Sequence, residues 1–149
     1  MTQFLNQTRP TSEKGMLDLG INSNLFDCRI DPASVADLSD VNASAFKIVD
    51  VAGKSIIVDV ATLAADDIFG FLPYEVKTNS YVAGDFIRLA TNMSVMKMEA
   101  SAVVARGADL EILPAGSKVL TNAGGTSIGR SLDKAAADGD LIRVLIKTS

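Results

Sequence analysis

The chain has no histidine and one cysteine, Cys28. That removes the commonest general base and the usual partner of a nucleophilic Ser or Cys. It also removes an internal disulfide and a structural zinc site, whose ligands come mostly from Cys and His. Chemistry would have to rest on carboxylates, and these occur in pairs: Asp66 with Asp67, Asp37 with Asp40, Asp138 with Asp140. Paired carboxylates act as acid and base in glycosidases. Here they lie in Gly- and Ala-rich turn sequence without a neighbouring Trp or Tyr to hold a sugar, so they read as turn caps. Asp138-Gly139-Asp140 has part of a calcium loop, but no Glu follows at the required interval.

The Gly-rich stretch Gly124-Gly125-Thr126-Ser127-Ile128-Gly129 lacks the Gly-Lys-Ser/Thr of a P-loop and the spacing of a dinucleotide fingerprint, so it reads as a hairpin connection. Ser131, Lys118 and Lys134 have no base partner nearby in sequence. Cys28 lies beside Arg29, a neighbour that can activate a thiol, but it reads as a small apolar filler. No catalytic residue, cofactor or metal is expected.

Length and composition set the frame around these residues. The 149 residues are 48% hydrophobic, 21% charged and 5% aromatic, with a net charge of −4. One domain, or two very small ones, is expected, with about 68–70% of the unfolded surface buried on folding. The negative balance argues against a nucleic-acid partner and against electrostatic attachment to a membrane. No apolar run approaches a transmembrane length, and the polar stretch Met1–Pro10 lacks the apolar core of a signal peptide.

Composition shifts near residue 35. Residues 1–36 are polar, with apolar residues in pairs (Phe4-Leu5, Met16-Leu17, Leu25-Phe26) that follow no sustained period. This segment reads as an extended arm that lies on its own body, on another subunit or on a partner. Within it, Asp31-Pro32-Ala33-Ser34 is a turn signal with Asp31 as cap. Residues 37–149 read as a β-rich domain. Ser55–Val60 is a β-branched run, and Phe86–Leu89 and Leu141–Ile146 are short strands, each entered by Gly-Asp. Met96, Met98, Ala100, Ala102 and Val104 alternate with Lys97, Glu99 and Ser101, the period of a half-buried strand. Only Asp133–Asp138 reads as briefly helical. Phe69, Phe71, Leu72, Pro73 and Tyr74 form the densest large-apolar stretch, either core or a subunit contact through Phe71 and Tyr74.

The body repeats itself, with halves at about 45–90 and 109–146. Ala45–Lys54 resembles Asp109–Ser117, Phe69-Gly70 matches Ile128-Gly129, and Gly84-Asp85-Phe86-Ile87-Arg88-Leu89 matches Gly139-Asp140-Leu141-Ile142-Arg143-Val144. Gly70 and Gly84 are 14 residues apart and Gly129 and Gly139 only 10, so the first copy carries four extra residues, placed at Lys77–Ser80. Arg88 and Arg143 sit between inward apolar residues and should face out. Two such halves predict a small pseudo-symmetric barrel or sandwich, whose closure removes exposed strand edges.

The stretch from Gly124 to Ile146, with its glycine turn, Ala135-Ala136-Ala137 and Gly139-Asp140-Leu141-Ile142-Arg143-Val144, resembles the C-terminal signature of tailed-phage capsid decoration (cement) proteins. The resemblance spans about residues 42–149 and leaves the arm uncovered. It implies an all-β, β-tulip or barrel-like fold and no enzymatic activity. It further implies a homotrimer on the outer capsid surface of the virion, made in the host cytoplasm, with the major capsid protein as partner. Phe4, Leu5, Met16, Leu17, Leu25, Phe26, Phe71 and Tyr74 are then the candidate capsid or inter-subunit contacts. The alternative is a small β-barrel ligand- or carbohydrate-binding module, which the lack of Trp disfavours.

Overall fold

The strand runs found in the sequence are short, and two of them, Phe86–Leu89 and Leu141–Ile146, are entered by Gly-Asp, which favours a small barrel over a wide sheet. The computed structural model of the chain describes residues 14–17, 24–53, 55–74, 80–113 and 117–148. Among these residues there are ten strands and no helix: β1 (Leu25–Ile30), β2 (Ala45–Ala52), β3 (Ser55–Val60), β4 (Gly70–Phe71), β5 (Phe86–Ala90), β6 (Val95–Ala100), β7 (Asp109–Ile112), β8 (Lys118–Thr121), β9 (Gly129–Ser131) and β10 (Leu141–Ile146). They close into two barrels, ordered β1-β3-β2-β4-β5 and β10-β6-β8-β7-β9. The fold is all-β.

The barrels share one topology in chain order. β1 runs parallel to β3 and antiparallel to β5, as β6 runs parallel to β8 and antiparallel to β10. The register agrees residue by residue: Phe46 opposes Gly70 and Val60 where Leu110 opposes Gly129 and Thr121. Ile30 opposes Val58 where Ala100 opposes Val119. The duplication therefore extends to a pair the sequence did not expose, β1 with β6. Leu25–Ile30 is a barrel strand and not part of an arm, because its backbone closes the first barrel on both sides.

The repeated glycines have steric reasons. A Cβ on Gly70 would lie 2.7 Å from the carbonyl oxygen of Ala90, and one on Gly129 would collide with the carbonyl oxygen of Leu145, the equivalent residue. Gly84 and Gly139 both hold left-handed φ, +92° and +91°, which costs glycine little. The Asp after each closes its turn. Asp85 accepts the Val82 N–H at 2.9 Å, and Asp140 accepts those of Ala136 and Ala137 at 2.7 and 3.1 Å.

Two expectations fail locally. The alternation from Met96 stops at Ala100, since β6 ends there and Ala102 is exposed. Asp133–Asp138 forms no helix. Ala135 instead makes an isolated bridge with Val104, and three alanines cannot offset the cost of nucleating a helix. The proposed insertion at Lys77–Ser80 lies almost wholly outside the described residues.

The first barrel is filled by Cys28, Ile30, Phe46, Val58, Leu72, Ile87 and Leu89. The second is filled by Met96, Met98, Leu110, Ile112, Ile128, Ile142, Val144 and Ile146, and one continuous core also takes in Ala43, Ala45, Ala61, Ile68, Phe71 and Ala90 of the first half. The side of the first barrel thus packs on the second. Hydrogen bonds from Thr126 N to Ala64 O (2.7 Å) and from Thr148 Oγ1 to Phe69 O (3.4 Å) cross the same joint.

Candidate functional site

Because the barrels are equivalent, each position has an internal control. Met96, Ile112 and Ile128 are 0%, 1% and 0% exposed. Their counterparts by register are Phe26, Ile48 and Phe69. Phe26 is 49% and Ile48 44% exposed, and Phe69 is half-buried. Leu25 is 40% exposed where its counterpart Val95 is 2% exposed. The first three pairs alternate correctly for inward-facing positions, so sequence periodicity predicts burial in both barrels. What differs is the neighbour. The side of the first barrel contributes apolar residues to the core that buries Met96, Ile112 and Ile128, whereas no described residue closes off Phe26 and Ile48.

The result is an open apolar barrel end. The rings of Phe26 and Phe69 meet edge to face, their centroids 5.8 Å apart. Ile48, Asp67, Ile68 and Phe69 line a recess beside them. The rim is anchored where β1 begins: the Thr91 N–H donates to Asn24 O at 2.8 Å and the Asn24 side chain to Asn92 O at 2.6 Å. Between these anchors and β6 stands Met93, 61% exposed and at φ +70°, a conformation that is uncommon outside glycine.

Of the candidate contacts, the structure brings Leu25 and Phe26 to this end. Phe71 is not a contact residue: it is 0% exposed, held between Ala45 and Ala90 in the inter-barrel core. Met16 and Leu17 are half-buried on their own body. Leu17 bridges Met96, and Lys97 N donates to Met16 O at 2.8 Å. Half-buried Tyr74 joins the same strap, donating its N–H to Gly15 O at 2.9 Å. Phe4 and Leu5 lie outside the described residues. Sequence reasoning missed Ile48 as a surface residue, because nothing in the repeat shows which of two equivalent ends is covered.

The carboxylates organise backbone. Asp66 accepts the N–H groups of Thr62 and Leu63, each at 3.0 Å, and pairs with Lys47 at 3.1 Å. Partial burial works to raise its pKa, but these donors hold it below the ordinary carboxylate range. Asp37 accepts from Ser39, and Asp138 pairs with Lys118 at 2.9 Å. Ser131 Oγ donates to the Asp133 carbonyl, away from Lys118, which is held by Glu99 and Asp138. The Gly-rich connection is organised by Glu111, 7% exposed, which accepts Ala123 N–H and Gly125 N–H at 3.2 and 2.6 Å. Its signal was a lone charge inside the short apolar run Leu110-Glu111-Ile112. The Cys28 thiol is 3% exposed, and burial first, then the Asp27 charge, push its pKa up to about 11. Among the described residues no group of three His, Cys, Asp or Glu converges to hold a metal ion.

A second recess, on the side of the second barrel, is lined by Asp109, Ser127, Gly129, Arg130, Lys147 and Thr148. Asp109 is occupied by Ser127 Oγ at 2.5 Å and Asn122 Nδ2 at 3.0 Å.

No protein-family model matches the chain, and no curated protein does. Among solved structures, the chain is similar to the head fiber gp8.5 N base in bacteriophage phi29. Identity is 15%, the match covers 85% of this chain and 95% of that chain, and the TM-score is 0.49.

Proposed function

We propose that the protein is a non-enzymatic virion component, a trimer that binds the outer surface of a phage capsid and stabilises the mature shell. The observation that carries the trimer in this reading is the open end of the first barrel. Leu25, Phe26 and Ile48 expose apolar surface at positions whose counterparts in the same chain are covered by protein. Contiguous exposed apolar surface on a folded domain marks an interaction site, and buried aromatic anchors dominate interface energetics. The capsid as partner follows from the resemblance of residues 124–146 to the decoration-protein signature.

The carboxylates support the same reading, since one member of each pair that could have served as acid and base caps a turn: Asp37, Asp66 and Asp140. A trimer multiplies weak contacts. Linked binding raises overall affinity by ~10²–10⁴ without any new contact, and binding only to the expanded shell stabilises that shell by mass action.

Co-sedimentation of the full chain with expanded capsids of the phage that encodes it tests this function. Saturable retention, lost in Phe26→Ser, is the expected result. A chain that stays in the supernatant at excess capsid would overturn it.

A further inference from the structure

We propose that the open end of the first barrel seats on the side of the second barrel of another copy of this chain. The joint that exists within one molecule would then be repeated between molecules. This inference deepens the trimer reading above and rests on it.

Within the chain, the end of the second barrel (Met96, Ile112, Ile128) shares a core with the side of the first barrel (Ala45, Phe71, Ala90). Register carries each half of that joint onto its counterpart. The end becomes Phe26, Ile48 and Phe69, and the side becomes Asp109, Arg130 and Leu145. The end half is uncovered. The side half has changed its chemistry, with Ala45 replaced by Asp109 and Phe71 by Arg130. It carries the recess that contains Arg130 and Lys147, and neither of these cations forms an ion pair among the described residues.

The uncovered end complements this change. It is aromatic and carries a carboxylate: Phe26 and Phe69 meet there, and Asp67 lines the recess with Ile48, whereas Asp27, which follows Phe26, is paired with Arg88 at 2.9 Å. A guanidinium gains from an aromatic face and from carboxylates in a partly desolvated joint. The charge of the whole halves agrees. Residues 25–90 hold ten acidic and five basic side chains, and residues 92–149 hold six acidic and seven basic. The first half is thus at −5 and the second at +1, a polarity that favours end-to-side contact between copies over end-to-end contact, in which like charges would meet. Such a contact is heterologous, so each copy offers one end and one side, and three copies close into a ring when the rotation permits.

The test is native mass by sedimentation for four full-length proteins and one further end variant. They are the wild type, an end variant (Ile48→Lys), a side variant (Arg130→Glu with Lys147→Glu), and a chain carrying all three changes. Phe26→Lys serves as a second end variant, and circular dichroism confirms that each protein is folded. The wild type should be a trimer and the end and side variants monomers. The combined variant should be a trimer again, because the ammonium introduced at position 48 of one copy then meets the carboxylates introduced at positions 130 and 147 of the next. A wild-type trimer whose end and side variants are also trimers would overturn this inference and leave the trimer reading intact. So would a combined variant that stays monomeric. A monomeric wild type would overturn both.

Discussion

Phe26 and Met96 occupy the same register position in two barrels of one topology, yet Phe26 is 49% exposed and Met96 is 0% exposed. The pair separates what a residue does for its own barrel from what it does for a neighbour. Met96→Ala should cost ~2–4 kcal/mol, the range for emptying a packed core site. Phe26→Ala, already half in water, should cost less than half as much while weakening self-association or capsid retention. Urea titrations of both variants, read beside the binding assays, check the contrast.

Gly70 and Gly129 stand where their strands pass close to the backbone of β5 and β10. A Cβ at Gly129 meets the Leu145 carbonyl, and the residue also has φ +148°. Gly129→Ala should therefore destabilise by more than ~3 kcal/mol, and Gly70→Ala by ~2–3 kcal/mol. At Gly53 a Cβ meets nothing within 4 Å, although φ is +64°, so Gly53→Ala should cost only ~1 kcal/mol. Thermal midpoints in that order support the account, and equal losses at all three sites would contradict it.

Asp133 receives Arg143 Nη2 at 2.8 Å, Nε at 3.0 Å and the Arg143 backbone N–H at 2.9 Å. This hydrogen bonding holds its pKa down to about 2, from an ordinary 3.8. A folded-state pKa below the unfolded one stabilises the fold above the unfolded value, and that gain is lost as pH falls from 3.8 through about 2. With the side chain 31% exposed, solvent screening reduces the contribution to about 1 kcal/mol. Asp133→Asn should lower stability by that amount at pH 7 and flatten the acid limb of stability against pH over the same window.

How much of this was readable in the sequence varies by element. β6 stands out in the alternation of Met96, Met98 and Ala100 because that end is covered and its inward residues are large and apolar. β1 does not stand out. Leu25-Phe26-Asp27-Cys28-Arg29-Ile30 is the same strand with an uncovered end, so its apolar pairing looked like an arm. The glycine landmarks were legible because they answer to backbone contacts inside each barrel. Phe71 was misplaced as a contact because a joint between barrels and a joint between subunits demand the same residue types. The open end itself was invisible, since it depends on which side of which barrel the chain packs, and two equivalent repeats leave that choice to tertiary structure.

Cys28 fills the first barrel, and its raised pKa leaves almost no thiolate near neutrality. A thiol reagent at pH 8 should react only after denaturant is added. Prompt labelling of the native protein would place the thiol at the surface and contradict the barrel assignment.

The central claim is that the open end of the first barrel is an adhesive surface, not an exposed accident of packing. The most direct measurement is the native mass of the full chain through a dilution series, set beside that of Phe26→Ser. The account predicts a species of three times the 15.7 kDa chain mass for the wild type, dissociating at much higher concentration in the variant. A wild type that sediments as a single chain throughout, or a variant with an unchanged dilution curve, would contradict it.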